Sequence, residues 1–376
     1  MKRVLKGMGV ATLVLALAMV GIYGWATVSV RASLSRTLTA HEVNIPVPYP
    51  LTEEELAVLR EERRAALDAE AAPADPGADG HAAHPEGAAP DEGRAEAPQP
   101  AGDAVPVVPP VEVDPLVGVD LEALALERAI ARGEHLVRAR YACGECHGQD
   151  FSGGVMVDDP AMGSLLGPNL TPAGPTRDFT MTDWDHIVRH GILPDGRPAL
   201  MPSEDFVRMS DRELSDIVAY LRAQPAVSNE VGDSALGPIG TLLAALGKLP
   251  LSADTIMDDQ SAHVVEPPAA QPDAAFGQHL IAVCTGCHRP SLEGGPIAAG
   301  PPDWIPAGNL TPHADGLAGW TYEDFVRAMR QGQRPDGSAL RAPMTLITPY
   351  AEAMTDVELQ ALWAYLQTVE PRPMGR

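Results

Sequence analysis

The feature that most constrains this 376-residue chain is a five-residue motif, CxxCH, which occupies residues 143–147 and again residues 284–288. The chain has four cysteines, and all of them belong to these two motifs. On a helix, positions i, i+3 and i+4 lie on one face, so each motif brings two thiols and one imidazole together. The residues concerned are Cys143, Cys146, His147, Cys284, Cys287 and His288.

The two motifs belong to two copies of a longer unit. The segment GEHLVRARYACGECHG is echoed by GQHLIAVCTGCHRP, and both NLTP and PDG recur, each at an offset of 140 or 141 residues. Each copy ends in an apolar run at helical spacing, which begins with a Ser or Thr followed three residues later by Glu, a capping box. We therefore expect an opening helix, a Gly/Pro-rich middle with one short helix, and a closing helix in each copy.

A unit of about 100 residues with so few helices forms a poor hydrophobic core alone, so we expect a large apolar cofactor to complete it. Two thioether bonds to a porphyrin and one nitrogen bond to its iron need the CxxCH arrangement. We predict two covalently bound haem c groups, attached through the four cysteines, with His147 and His288 as iron ligands. A disulfide framework, a zinc ribbon and a thioredoxin-like redox pair are the alternatives; a disulfide framework leaves the repeated histidines unexplained.

Four methionines are candidates for the second axial position on each iron. Met201 and Met344 follow the PDG turn at similar distances and lie beside a proline in predicted loops. A soft thioether ligand favours ferrous iron and raises the reduction potential. Met209 and Met354 each precede a capping box, the position of a hydrophobic staple, so we assign them to packing.

Two histidines offer an alternative ligand for the first haem. His186 and His190 lie between the NLTP and PDG segments of the first copy. Neither has a histidine counterpart in the second copy, where Gln331 stands opposite His190. We therefore favour the methionines, and keep the histidines as the second interpretation.

These residues resemble class I c-type cytochromes. The pattern RGEHLV, CGECHG, GPNLTP, DGRP, MP and LSDIVAYL is similar to the cytochrome subunits that serve bacterial periplasmic dehydrogenases, over residues 121–225 and 273–371. The resemblance implies an all-α fold of two tandem cytochrome c domains, each a few helices around a covalent haem, with electron transfer as the activity. It also implies that the Pro168 carbonyl accepts the N–H of His147; the second copy has Gly308 at that position.

The N-terminal segment predicts a membrane helix. Residues 7–30 carry no charge and follow Lys2, Arg3 and Lys6. Twenty-four residues span about 36 Å as a helix, enough for a hydrocarbon layer of about 30 Å. The basic N-terminal flank favours the cytoplasm, so we predict a single-pass protein of the bacterial inner membrane with both haem domains in the periplasm. A cleaved signal peptide is the alternative.

Composition predicts the organisation of the remaining chain. Residues 71–120 contain ten prolines and no aromatic residue, which indicates a linker without a core. Thr52 and Glu55 form a capping box before a helix-favouring run. We predict a membrane anchor at 1–36, an extended segment, short helix and Pro/Ala-rich disordered linker at 37–118, cytochrome c domains at 119–225 and 273–376, and an inter-domain connection at 226–272.

The connection contains GPIGTLLAALGKLP, which is too short to span a bilayer. We predict a short helix here. It covers the interface between the domains or, alternatively, contacts a partner or the membrane.

Net charge narrows the function classes. With 27 basic and 51 acidic residues the chain carries a net charge of −24, which argues against nucleic-acid binding. We predict an electron carrier of a respiratory chain, with no catalytic residues, between a dehydrogenase or quinol-oxidising complex and an acceptor such as a terminal oxidase. A diheme peroxidase-like enzyme with one open iron site is the alternative. A haem-based sensor is a third alternative. It would need a signalling domain, which the short N-terminal segment cannot supply.

Overall fold

The computed structural model describes residues 2–39, 41–71, 113–256, 263–297 and 304–375. Three short strands accompany the helices: β1 Gly154–Asp159, β2 Gly163–Gly167 and β3 Ala235–Leu236. The α-helices are α1 Lys2–Ser35, α2 Glu53–Ala71, α3 Leu121–His135, α4 Gly144–His147, α5 Met181–Asp185, α6 Asp211–Arg222, α7 Pro238–Ala245, α8 Ser252–Ile256, α9 Ala274–Leu280, α10 Thr285–His288, α11 Tyr322–Gln331, α12 Met344–Ala353 and α13 Asp356–Leu366.

The chain divides into two compact units, residues 51–121 and residues 1–50 with 122–376. The smaller unit contains α2, whose first turn is capped as predicted: the Glu55 N–H donates to Thr52 Oγ1 at 3.1 Å, and the Thr52 N–H donates to Glu55 Oε2 at 2.7 Å. The predicted Pro/Ala-rich linker falls mostly on residues 72–112, outside the described residues.

In the larger unit, each repeat is built on a crossing of its opening and closing helices. In the first repeat α3 meets α6 at Gly133, where a Cβ atom would lie 2.0 Å from the carbonyl oxygen of Asp216. In the second repeat, α9 meets α13 at Gly277, where a Cβ atom would lie 1.9 Å from the carbonyl oxygen of Ala361. Both crossings therefore require glycine, because the two backbones touch directly.

The crossings enclose two separate hydrophobic cores. The first includes Phe151 and Leu214, and the second Phe276 and Leu359; all four side chains are buried. The predicted capping boxes start both closing helices, at Ser210 and Thr355. Met209 lies in the first core and Met354 in the second. Both therefore lie in packed cores at the entrance of a closing helix.

The prediction of an all-α fold needs one correction, because the first repeat contains a small antiparallel sheet in the order β1-β2-β3. Gly154 pairs with Gly167 and Asp159 with Gly163. The Asp159 side chain accepts the N–H groups of Ala161 and Met162 at 2.8 and 2.7 Å, which closes the hairpin turn. Strands β1 and β2 lie in the Gly-rich middle of the first repeat and β3 lies in the connection, and no long alternating pattern marks any of them.

The middle of the second repeat also differs from the prediction of one short helix, since it contains both α11 and α12. Helix α12 begins at Met344, which the sequence placed in a loop. Pro343 stands at its N-cap. A proline is tolerated at the start of a helix because the N–H groups there have no partner within the helix.

One helix of the described residues is long and apolar enough to cross a membrane, over Thr12–Ser35 of α1. Most of its large side chains are exposed, but Ala26 is fully buried. Helix α7, the short helix predicted in the connection, packs against α1 and against β2 and β3. This helix thus lies against the N-terminal helix and the sheet of the first repeat.

The two repeats meet through a network of five ionisable side chains, two histidines, two glutamates and one arginine. His135 Nε2 lies 2.9 Å from both carboxylate oxygens of Glu358, and His279 Nε2 lies 2.9 Å from both of Glu213. Each histidine belongs to one opening helix and each glutamate to the other repeat's closing helix. Arg140 donates to both glutamates at 2.7 Å. The two crossed pairs are related by an approximate twofold arrangement.

Candidate functional site

Each CxxCH motif forms a single helical turn directly after its opening helix. Cys143 is the N-cap of α4 and Cys284 the N-cap of α10. The residue after each turn has a positive φ, 79° at Gly148 and 69° at Arg289. The chain therefore reverses immediately after the histidine in both repeats, and the two cysteines and the histidine share one short turn as the spacing predicts.

A backbone carbonyl orients each motif histidine. The Nδ1 atom of His147 lies 2.8 Å from Pro168 O, and that of His288 lies 2.7 Å from Gly308 O. Burial lowers the pKa of both imidazoles, although each carbonyl acts in the opposite direction. A neutral ring that donates through Nδ1 keeps its lone pair on Nε2, the form that binds a metal.

The NLTP repeat explains why both carbonyls stand in the same place. Asn169 Oδ1 accepts the N–H of Thr171 at 2.9 Å, and Asn309 Oδ1 accepts that of Thr311 at 2.8 Å. Each asparagine also donates to the segment after its closing helix, at 2.8 and 2.7 Å. This turn fixes the backbone of the residue before the asparagine. The carbonyl of that residue accepts from the motif histidine in both repeats, so a proline ring is not needed there.

All four motif cysteines are free thiols in partly buried positions, apart from the more exposed Cys287. Burial raises the pKa of Cys143 to about 12 and that of Cys284 to about 12. Burial also raises the pKa of Cys146 to about 11. Cys146 Sγ lies 3.2 Å from Met156 Sδ on β1, a neighbour that the sequence did not indicate.

The candidate axial methionines are both half-buried. The Met201 carbonyl accepts the N–H of Ser203 at 2.9 Å and the hydroxyl of Ser252 at 2.7 Å, which holds its loop. Met344 starts α12. Their assignment as iron ligands stays a prediction.

The alternative ligands His186 and His190 have contacts elsewhere. His186 Nε2 donates to His41 O at 2.8 Å, and His190 Nε2 lies 3.1 Å from His263 Nε2. These contacts join the first repeat to the N-terminal segment and to the inter-domain connection.

Each motif turn is covered by residues of the opposite repeat. The Tyr350 hydroxyl, on α12, accepts from Gln149 Nε2 at 2.9 Å and donates to Glu145 Oε2 at 3.2 Å. Asp205 lies against Gly286, and a Cβ atom built at Gly286 would lie 2.5 Å from Asp205 Oδ1. Burial, with Glu204 nearby, raises the pKa of Asp205 to about 7. No sequence pattern indicates these contacts, because they join residues about 80 or 200 positions apart.

Three features of the structure fit covalently attached haem. The two cysteines of each motif lie on one turn with a histidine. The histidine is oriented through Nδ1. The motif turns lie beside two small cores, each closed by a pair of crossed helices. Such a fold and site define a helix-rich protein with two cytochrome c domains.

The comparison with known families gives the same class. Residues 128–221 match the family "Cytochrome C oxidase, cbb3-type, subunit III", and residues 274–370 match the family "Cytochrome c". Two segments of the chain, one in each repeat, thus match families of cytochromes c. The predicted resemblance to the c-type cytochromes is confirmed.

Two relatives cover most of the matched region. The cytochrome c subunit of the quinone-type alcohol dehydrogenase of Gluconacetobacter polyoxogenes is 28% identical over 254 residues, which are 60% of this chain and 52% of the relative. A protein named "Diheme cytochrome c-type" from Cereibacter sphaeroides is 25% identical over 289 residues, 69% of this chain and 90% of that relative. The chain thus spans about half the length of the dehydrogenase subunit that it resembles.

A third relative matches a shorter part. The fructose dehydrogenase cytochrome subunit of Gluconobacter japonicus is 33% identical over 116 residues, 28% of this chain and 23% of the relative. Two of these three relatives are thus cytochrome subunits of dehydrogenases.

Proposed function

We propose that this protein is a membrane-anchored diheme cytochrome c that carries single electrons from a dehydrogenase or another respiratory donor to a downstream acceptor. Cys143 and Cys146 hold one haem c, and Cys284 and Cys287 hold the other. A bound haem c supplies one-electron chemistry at its iron. The observation that carries the proposal is the pair of CxxCH turns whose histidines are oriented by Pro168 O and Gly308 O.

The protein's own residues shape the two sites in matching ways. The histidine rings stay neutral and present Nε2 to the metal, because burial lowers their pKa and a carbonyl engages Nδ1. Met201 and Met344 would be the further ligands of the two irons, and their soft thioethers would favour the ferrous state. With a histidine and a methionine on each iron, neither site would offer a vacancy for peroxide, which favours a carrier over a peroxidase.

The interface between the repeats supports electron exchange within one chain. Tyr350 of the second repeat lies on the first motif turn, and Asp205 of the first repeat lies on the second. Both turns therefore face the same interface, inside one compact unit. We propose that cytochrome c domains at 119–225 and 273–376 form this unit, with the connection at 226–272 between them.

Helix α1 is the proposed anchor in the bacterial inner membrane, with both domains in the periplasm. Its span Thr12–Ser35 has a mean hydropathy of 2.0, and most of its side chains are exposed. The names of the relatives favour a dehydrogenase as donor. A quinol-oxidising complex as donor and a terminal oxidase as acceptor remain further candidates for the redox partners.

The test combines haem counting with ligand binding. The double variants Cys143→Ala/Cys146→Ala and Cys284→Ala/Cys287→Ala should each retain one covalent haem, against two in the wild type, by pyridine haemochrome assay and haem-stained denaturing gels. Ferrous wild-type protein should bind little carbon monoxide. Met201→Ala or Met344→Ala should let one haem bind it, whereas the packing variants Met209→Ala and Met354→Ala should not.

Two results would contradict the proposal. A wild-type haem count other than two per chain would remove the assignment of the attachment sites. Stoichiometric carbon monoxide binding by the wild type, or rapid peroxide turnover, would replace the carrier by a peroxidase-like enzyme.

A further inference from the structure

A second cluster of metal-binding side chains lies on the first repeat, and no CxxCH residue belongs to it. His41 comes from the segment after α1, Asp185 and His190 from α5 and the π-helical turn that follows it, and His263 from the inter-domain connection. The ring centroids of His41 and His190 are 5.3 Å apart, and those of His190 and His263 are 5.1 Å apart. Three distant segments of the chain thus bring imidazoles to one carboxylate.

The distances in this cluster are those of ligands around one ion. The Nε2 atoms of His41 and His190 lie 3.9 and 3.6 Å from Asp185 Oδ2. These separations are too long for hydrogen bonds. Donors bound at about 2.0–2.1 Å in a tetrahedral shell lie roughly 3.3 Å apart. The three donor atoms lie within 4.8 Å of one another, so a small contraction around a cation would bring them to this separation.

The oxygen at the centre of the cluster is buried and unsatisfied. Asp185 is fully buried, and its Oδ1 accepts from Arg189 Nε at 2.7 Å. Within the described residues, its Oδ2 has no hydrogen-bond partner. Arg189 also lies 2.8 Å from Asp211, so one guanidinium is shared by two carboxylates. A buried anionic oxygen of this kind costs free energy unless a cation or donor meets it.

The histidines of the cluster differ in exposure. His190 is buried between His41 and His263. His41 is 40% exposed, which leaves a path for an ion from solvent.

We propose that Asp185 Oδ2 and the Nε2 atoms of His41 and His190 bind a divalent first-row cation of the Zn²⁺ class. His263, whose Nε2 lies 3.1 Å from that of His190, is a neighbour of this group and not one of its three donors. A nitrogen-rich set with one carboxylate suits such ions and does not suit Ca²⁺ or Mg²⁺, which take oxygen ligands. Two neighbours position the ligands: Arg189 through Asp185 Oδ1, and His186, whose Nε2 donates to His41 O.

The site would tie the segment at residues 41–50 to the first repeat. This segment already lies on the repeat, where Ser215 Oγ donates to Pro46 O at 2.6 Å and Ile45 is buried. His41 stands at the end of the segment nearest α1, so a metal bond there would hold the entry from α1. The haem sites share no ligand with this cluster.

The experiment titrates full-length haem-loaded protein in detergent with ZnCl₂ after dialysis against a chelator, using calorimetry and elemental analysis. We expect one Zn²⁺ per two haems. His41→Gln and His190→Gln should each weaken binding at least tenfold, and His263→Gln should weaken it less. Because His41 is exposed, His41→Gln should fold normally, as judged by its haem content and circular dichroism.

His313→Gln is the matched control. His313 pairs with a single carboxylate, Asp315, at 2.7 Å on the second repeat and belongs to no described three-ligand group. Its loss should leave Zn²⁺ binding unchanged. Zinc-edge X-ray absorption should show nitrogen and oxygen ligands without sulfur. Absence of stoichiometric binding in the wild type, a sulfur ligand, or unchanged affinity in both His41→Gln and His190→Gln would overturn the proposal.

Discussion

The two repeats hold their CxxCH turns in the same way but reach them by different routes. In the first repeat seven residues separate His135 from Cys143, whereas four separate His279 from Cys284. The longer route contains a π-helical turn at Leu136–Arg140, and the shorter one a 3₁₀ turn at Ile281–Cys284. The CxxCH turn and the carbonyl that orients its histidine are thus the same in both repeats. The segment between the opening helix and the motif differs.

The extra turn gives the first repeat a role that the second lacks. It contains Arg140, which is 12% exposed and contacts Glu213 of its own repeat and Glu358 of the other. The two histidine–glutamate pairs cross the interface symmetrically, but the arginine has no counterpart in the short route of the second repeat. The comparison indicates that a local insertion in one copy ties the two copies together.

The largest effect should follow from removing both carboxylates around Arg140. Glu213→Gln/Glu358→Gln keeps both capping boxes, which accept Gln, but leaves a buried guanidinium without an anion. We expect a loss of about 3–5 kcal/mol in the free energy of unfolding, measured by urea denaturation. Glu134→Gln, at an exposed pair with Arg138, should change it by less than about 0.5 kcal/mol. A loss below about 1 kcal/mol in the double variant would mean that Arg140 does not link the repeats.

The same glutamates should make the interface sensitive to acid. Contacts with the histidines and Arg140 outweigh burial and lower the pKa of Glu213 to about 2 and of Glu358 to about 2. A lowered folded-state pKa stabilises the protein above the unfolded value near 4.5, and this stabilisation disappears as pH falls toward 2.

Thermal unfolding measured from pH 6 to pH 2 checks this. The wild-type midpoint should fall mainly between pH 4.5 and 2, and the double Gln variant should lose most of that dependence. An equally steep acid dependence in the variant would assign it to other carboxylates.

The sequence predicted what the repeat itself encodes, because identical local patterns produce identical local structure. The CxxCH turns, the capping boxes at Ser210 and Thr355, and the glycine-bearing opening helices follow from residues close together in the chain. It did not predict that Glu213 and Glu358 serve twice, as caps and as partners of the opposite repeat. Pairing across the interface depends on long-range packing, which no local pattern reports.

The two acceptor carbonyls and the sheet show the same limit. The resemblance gave Pro168 as an acceptor and left Gly308 undetermined, yet NLTP is present in both repeats and fixes the preceding carbonyl in both. The strands are short and glycine-rich, so no alternating pattern marks them; β1 and β2 pair as a local hairpin, and β2 also pairs with β3 of the connection. The axial methionines stay a prediction.

The helix crossings should respond alike in the two repeats. Gly133→Ala and Gly277→Ala place a methyl group about 2 Å from a facing backbone carbonyl, so one helix must shift. We expect each to lower the free energy of unfolding by about 1–3 kcal/mol. Gly232→Ala, where the nearest atom is Leu166 Cδ1 at 3.7 Å, is the control without a clash. If only one of the two crossings responds, the repeats do not share this feature equally.

The smallest effect on the free energy of unfolding should come from Gly308→Ala. This substitution tests whether the backbone carbonyl or the side chain at position 308 orients His288. A Cβ atom at Gly308 meets nothing within 4 Å among the described residues, and His288 uses only the backbone oxygen. Gly308→Ala should therefore change the free energy of unfolding by less than about 0.5 kcal/mol and leave the visible spectrum unchanged. Asn309→Ala removes the turn that holds this carbonyl, so it should perturb the spectrum of one haem. If instead Gly308→Ala shifts the spectrum and Asn309→Ala does not, the identity of the residue, and not its fixed carbonyl, orients His288.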